Sequence, residues 1–142
     1  MNGNVEVALD YDGCRDTDHE VQFAEHVQAV ITLTAPVRGE VEIFLTSPSG
    51  TRSTLLARRM RDTSSEGFTN WAFLTTHCWG ESVVGTWRLE VRNGATMCEY
   101  CFCQNLHTTH KLNCSMLCYI RQVNGVNGEI YCDAFFLLSV CL

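Results

Sequence analysis

The sequence predicts an all-β, antiparallel domain, a sandwich or a barrel. Three observations carry that reading. Several short stretches alternate apolar and polar residues with a period of two, as strands with one buried face do. Pro and Gly punctuate those stretches at regular spacing, where turns need a fixed φ or a missing Cβ. No stretch of residues 1–95 shows the 3.6-residue periodicity of a long amphipathic helix.

Taken in order, residues 1–13, "MNGNVEVALDYDG", read as a short lead-in to the domain. They are acidic and lack a long apolar run, so no signal peptide is expected there. The domain is expected over residues 14–95. In "HVQAVITLT", Val27, Ala29, Ile31 and Leu33 share one face. "APVRG" at 35–39 is a turn. "EVEIFLT" follows, with Val41, Ile43 and Leu45 inward and Glu40 and Glu42 outward. "SPSG" at 47–50 turns the chain again, and "RDTSSEG" at 61–67 is a polar loop. "NWAFLTT" alternates Trp71 and Phe73 with Ala72 and Leu74. It reads as a strand apolar on both faces, buried on both sides or lying under a partner. "TWRLEVR" is the plainest strand, with Trp87, Leu89 and Val91 against Thr86, Arg88, Glu90 and Arg92; "RNG" at 92–94 ends it. Large aromatics each bury roughly 150–250 Å². Phe68, Trp71, Phe73, Trp79 and Trp87 are therefore expected in the core or in packing against a second domain.

The 142 residues suffice for one domain, and 46% hydrophobic with 18% charged is a globular balance. A net charge of −6 without a large Lys/Arg cluster excludes nucleic acid as the expected partner. The longest nearly apolar run, "AFFLLSVCL" at 134–142, is too short to span a bilayer, which takes about 20 residues.

Four features invite a chemical reading. His77–Cys78 could be a base and a thiol nucleophile, but neighbours on a strand point to opposite faces. A packed His and a structural Cys is the reading adopted, and a Cys14–Cys78 disulfide is expected. "GESVVG" at 80–85 misses the G-x-S-x-G elbow by one residue, and a strand follows where the elbow needs a helix. No segments supply the Asp, His and Ser of a subtilisin-type protease, so no catalytic residue is assigned. Arg58, Arg59 and Arg61 read as an exposed basic loop or as a site for proteases that cut after basic pairs.

Of nine cysteines, Cys14 and Cys78 lie in residues 1–95, and the other seven lie in 96–142. Cys98, Cys101, Cys103, His107, His110, Cys114 and Cys118 have the chemistry of zinc ligands. Beyond the first C-x-x-C their spacing matches no known site. Disulfides or a disordered Cys-rich segment are the other readings, and no metal ligand is assigned. "NCS" at 113–115 is a glycosylation sequon.

The segment "EHVQAVITLTAPVRGEVEIFLTSPSGTRSTLL", followed by "EGFTNWAFLTTHCWGE" and "GTWRLEV", resembles the P domain (Homo B) of the furin/kexin-like proprotein convertases, from about Cys14 to Asn93. The resemblance rests on Glu25-His26-Val27, Arg38-Gly39, "LTSPSGTRS", "GF-x-x-W", "HCWGE" and "G-x-W-x-L". It implies a jelly-roll β-sandwich, galactose-binding-like, here incomplete at both ends and lacking the family's opening strand. An irregular, divergent Cys-rich tail is expected over residues 96–142. The parent enzymes are calcium-dependent, subtilisin-like serine endopeptidases of the secretory pathway (Golgi or secreted), which process precursors after paired basic residues. The resemblance implies a fragment without the catalytic domain, non-catalytic by itself and needing no cofactor of its own. Its implied role is to pack on that catalytic domain and stabilise it. Arg38-Gly39-Glu40 stands where many relatives have Arg-Gly-Asp. The rival reading is a free-standing β-sandwich that binds carbohydrate or calcium.

Overall fold

A computed structural model describes residues 3–16, 20–94, 115–123 and 130–139. Among the described residues, eight strands form two four-stranded antiparallel sheets. The first is ordered β1 (Gly3–Tyr11), β6 (Gly85–Asn93), β3 (Val41–Thr46), β4 (Arg52–Leu56). The second is ordered β5 (Phe68–Thr75), β2 (His26–Leu33), β7 (Ser115–Val123), β8 (Ile130–Ser139). Among the described residues, the one helical element is a 3₁₀ turn at Arg38–Glu40. The all-β antiparallel sandwich expected from sequence is therefore the fold.

The sheets face each other across one core. Val7, Leu9, Tyr11, Val41, Ile43, Leu45, Trp87, Leu89 and Val91 enter it from the first sheet, and Val27, Ala29, Ile31, Leu33, Phe68 and Phe73 from the second. These are the alternating positions, so the period-two pattern sets both strand and face. A buried hydroxyl pair ties the layers, Thr75 Oγ1 donating to Ser53 Oγ at 2.9 Å.

Two expectations need correction. The lead-in is a strand: β1 runs antiparallel to β6 from Gly3↔Asn93 to Tyr11↔Gly85. Val7, Leu9 and Tyr11 are buried while Glu6, Ala8 and Asp10 are exposed, the same alternation as in its partner. The tail is not irregular throughout: β7 pairs with β2 from His26↔Val123 to Thr32↔Leu117, and β8 pairs with β7. A physical demand explains both strands. Bare edges on β6 and β2 would leave rows of unpaired N–H and C=O groups.

β5 departs from simple alternation. Thr69 and Asn70 together oppose the single residue Thr32, so the register slips between Ile31↔Trp71 and Leu33↔Phe68. Such a bulge wants a residue that tolerates left-handed backbone. Asn70 sits there at φ 48°, clasped by Thr32, whose Oγ1 accepts the Asn70 N–H at 2.9 Å and donates to its Oδ1 at 3.3 Å. The extra residue shifts parity, so Phe68, Trp71 and Phe73 come to one side. The strand is apolar on both faces, as its sequence implies, but it is not buried on both: Ala72 and Leu74 on its other face are exposed, and no partner segment of this chain covers them among the described residues.

The outer face of the first sheet is charged. Arg52 and Arg92 both bind Glu90 at 2.6 Å, Arg58 binds Glu42 at 3.3 Å, and Arg88 reaches Glu6 at 3.4 Å. The Arg52 and Arg92 guanidinium groups lie 4.1 and 5.2 Å from the Phe44 ring and cover it. Exposed pairs of this kind each contribute about 0–1 kcal/mol, so they solvate the face more than they stabilise it.

Candidate docking site

Three large aromatics meet at the β5 edge. Phe68 lies edge-on to Trp71 at 5.7 Å and to Phe73 at 5.5 Å. Phe68 and Phe73 are buried, but Trp71 is 52% exposed. With Leu56 they line a mouth of about 230 Å³, whose polar wall is Arg38, Arg59 and Asp62. Arg38 and Arg59 each stand 5.7 Å from the Phe68 ring centroid.

The 3₁₀ turn builds that wall. Arg38 holds Asp62 in two bonds, Nε to Oδ2 at 2.8 Å and Nη2 to Oδ1 at 3.1 Å. Arg59 Nη2 adds a bond to Asp62 Oδ2 at 3.1 Å and another to the Arg38 carbonyl at 3.0 Å. Backbone bonds lock the same segments: Gly39 N–H to Asp62 O at 3.0 Å, Arg59 N–H to Gly39 O at 2.7 Å, and Arg38 N–H to Ser64 O at 2.7 Å. The Arg38 bond, assisted by Arg59 and the Ser64 N–H and opposed by partial burial, brings the Asp62 carboxyl down to about 2. The carboxylate therefore stays charged throughout the neutral and mildly acid range. Two guanidinium groups against one carboxylate leave the mouth a positive excess.

The five aromatics singled out from sequence thus divide. Phe68, Phe73 and Trp87 are core, with Trp87 Nε1 donating to the Val83 carbonyl at 2.9 Å. Trp71 and Trp79 are exposed. Trp79, in the turn after β5, packs edge-on against His26 at 5.1 Å and is not part of the mouth. Sequence reasoning missed Arg38–Asp62 because the partners are distant in the chain. The sequence marks Arg38 in the Arg38-Gly39 motif and Asp62 in the polar 61–67 loop, but nothing in it pairs them.

The chemical alternatives fare differently. His77 is exposed while Cys78 is 2% exposed, so the two side chains diverge; β5 ends at Thr75, and both residues lie in the turn that follows it, not on a strand as expected. Cys78 is a free thiol, and the expected Cys14–Cys78 disulfide is not made. Its side chain turns into the core, whereas Cys14 lies near Tyr11, Oη to Sγ at 4.0 Å, and is disulfide-bonded elsewhere. Burial first, then the Glu81 charge, pushes the Cys78 thiol up, away from the reactive thiolate. Mass mapping after iodoacetamide treatment is expected to find Cys78 unlabelled in the folded chain and labelled in guanidinium. Prompt labelling under native conditions would overturn this placement.

Ser82 pairs with Phe23 in an isolated bridge, and its Oγ accepts the Val84 N–H at 3.3 Å; β6 follows, not a helix. The Glu81 carboxylate accepts the Ser47 and Thr51 hydroxyls and so fastens this turn to the 47–51 turn. Arg58 and Arg59 are engaged in ion pairs, so the basic loop is not freely solvated. Among the described residues, no group of His, Cys, Asp and Glu could hold a metal ion. The ligand-like residues Cys98 to Cys114 and the start of the NCS sequon lie outside the described residues. Among the described residues, no helix is long and apolar enough to cross a membrane.

Comparison with known proteins gives the family. A proprotein convertase subtilisin/kexin type 5 from Branchiostoma californiense is 57% identical over 81 residues, 57% of this chain and 5% of the relative. A neuroendocrine convertase 2 from Drosophila melanogaster is 56% identical over 82 residues, 57% of this chain and 12% of the relative. The chain thus spans a small part of the curated relatives it matches. A crystal structure of a serine protease of Aeromonas sobria superposes loosely, over 98% of this chain and 24% of that one, with a TM-score of 0.45 at 19% identity. The model of the proprotein convertase P-domain matches residues 24–100, more than half of the chain. That span contains β2 to β6 with every residue that lines the mouth, and the chain belongs to the proprotein convertase P-domain family.

Proposed function

We propose that this chain is a non-catalytic accessory module that docks on a subtilisin-like catalytic domain and stabilises it. The parent enzyme of this reading is a calcium-dependent serine endopeptidase of the secretory pathway, which cuts precursors after paired basic residues.

One observation carries the reading: Trp71, half exposed, stands at the rim of an aromatic mouth. The outer face of the first sheet is covered by ion pairs and has nothing comparable to offer. A tryptophan at the centre of a protein interface is a typical anchor, and truncating such residues costs about 2–4 kcal/mol of binding. Leu74, 55% exposed on the opposite side of the same strand, and Trp79, 58% exposed beyond its end, widen the apolar surface around this edge. The residual positive charge beside Trp71 suits a partner that presents an acidic side chain next to an apolar one.

The test is binding of the full chain to the catalytic domain of a type 5 or neuroendocrine-type convertase, measured by calorimetry. Trp71→Ala is expected to weaken binding by about 30-fold or more with an unchanged melting midpoint. Undiminished affinity in Trp71→Ala, or no binding by the unmodified chain, overturns the reading. So does saturable glycan binding that Trp71→Ala abolishes, since the same surface would then serve a sugar.

A further inference from the structure

The tip of the basic loop, Met60 and Arg61, lies outside the mouth, and its geometry is that of a substrate held shut. Residues 57–61 read Ala-Arg-Arg-Met-Arg. Met60 is 86% exposed and Arg61 is exposed; Arg61 makes no hydrogen bond or ion pair among the described residues. An arginine that stands free on a loop tip is what the S1 carboxylate of a basic-specific serine endoprotease binds. Loop tips are also where native proteins are first nicked. Arg58 lies three residues upstream of Arg61 and makes an exposed pair to Glu42 at 3.3 Å. It adds a second positive group on the same side of the bond.

The loop is nevertheless not in the shape a protease needs. Substrate chains are gripped extended, as an added strand. Here Asp62 N–H donates to Arg59 O at 2.9 Å and closes Arg59–Asp62 into a turn. Both ends of that turn are tied to Gly39, by Arg59 N–H to Gly39 O at 2.7 Å and by Gly39 N–H to Asp62 O at 3.0 Å. The Asp62 side chain completes the clasp through Arg38 and Arg59. Cleavage therefore requires the turn to open first, and its rate follows the population of the open form.

We propose that Arg58–Arg61 is a gated cleavage site for a basic-specific serine endoprotease, cut between Arg61 and Asp62, with the Arg38–Asp62–Arg59 clasp as the gate. In the cut, the carbon–nitrogen bond between Arg61 and Asp62 breaks. Water supplies the hydroxyl of the new Arg61 carboxyl group and a proton to the new Asp62 amine. No other reactant is needed. The flanking strands β4 and β5 sit in different sheets, so a nicked chain stays assembled. What it loses is the tether on Asp62, the polar wall of the mouth. The gate is insensitive to mild acid. The Asp62 carboxyl lies below its unfolded value, so the clasp is fully closed above about pH 4 and weakens only as pH falls towards about 2. The inference stands on the loop and not on the docking reading.

The test is limited digestion of the full chain by trypsin in native buffer, with time-resolved mass mapping. Within residues 3–94 the first cut is expected at Arg61–Asp62. Asp62→Asn keeps the side-chain shape but removes the charge, and it is expected to accelerate that cut about tenfold or more. Arg61→Gln leaves the clasp intact and is expected to abolish that cut with no change in melting midpoint. If Asp62→Asn proves too unstable to purify, a peptide of residues 56–67 supplies the ungated reference. It should be cut at Arg61 about a hundredfold faster than the folded chain. A first cut elsewhere in residues 3–94 overturns the site. An unchanged rate in Asp62→Asn, or equal rates for peptide and chain, overturns the gate.

Discussion

Trp87→Ala is expected to lower the free energy of unfolding by about 3–5 kcal/mol, the range for removing a buried aromatic from a core. Trp87 is 2% exposed near the start of β6, opposite Leu9 of β1, in the strand that pairs with both β1 and β3. Truncation leaves a ring-sized void between the sheets and strips the Val83 carbonyl of its 2.9 Å donor. Domains of this size are stable by only about 5–15 kcal/mol, so much of the margin goes. Urea unfolding followed by circular dichroism measures it, with the m-value checked for constancy. Trp79→Ala is the control: the same residue type, 58% exposed, is expected to cost less than about 1 kcal/mol. Equal losses for the two variants would mean that the sorting of core from surface aromatics is wrong.

Gly39→Ala is expected to cost about 2–3 kcal/mol although it adds one methyl group. A Cβ built there would stand 2.2 Å from Arg59 O and 2.3 Å from Asp62 O. Both contacts are backbone, so no flexible side-chain end can yield. The loop must move off the 3₁₀ turn, and its backbone bonds to Gly39 stretch or break. The variant should therefore also lose affinity at the mouth and be nicked faster at Arg61. Gly80→Ala separates crowding from backbone strain. Gly80 has a positive φ, 77°, but nothing within 4 Å of a Cβ, so it carries a strain cost of about 1 kcal/mol without loosening the loop. Thermal melts of the two variants, with trypsin rates beside them, decide the matter. A Gly39→Ala chain as stable and as protease-resistant as the parent would refute the close approach.

The core was legible because one face of each strand is buried. Val27, Ala29, Ile31 and Leu33, then Val41, Ile43 and Leu45, then Trp87, Leu89 and Val91, all face inward as their alternation requires. β1 showed the same alternation, in Val5, Val7, Leu9 and Tyr11, and it was passed over because its partner β6 is remote in sequence. In residues 115–123 and 130–139 cysteines interrupt the apolar runs, and a cysteine serves equally as a small core residue, a disulfide partner or a metal ligand, so the pattern alone does not single out a strand. The bulge at Asn70 was invisible because alternation assumes an unbroken register; one extra residue turned Phe68 to the same side as Trp71. The site was less legible than the fold. The aromatic residues announced it, but which of them stay exposed depends on where strands end and which loops fold over them. The Arg38–Asp62 bond belongs to two loops that only the finished sandwich brings together.

The first sheet is closed by β1 lying along β6, and the second by β7 lying along β2. Neither closure joins neighbours in the chain. During synthesis β1 stays idle until Gly85–Asn93 has appeared, and β2 lacks one flank until Ser115–Val123 follows. Chains assembled mostly from such remote pairings mature slowly, in milliseconds to seconds, and expose sticky surface meanwhile. For this molecule the hazardous interval is the one before both sheets have closed.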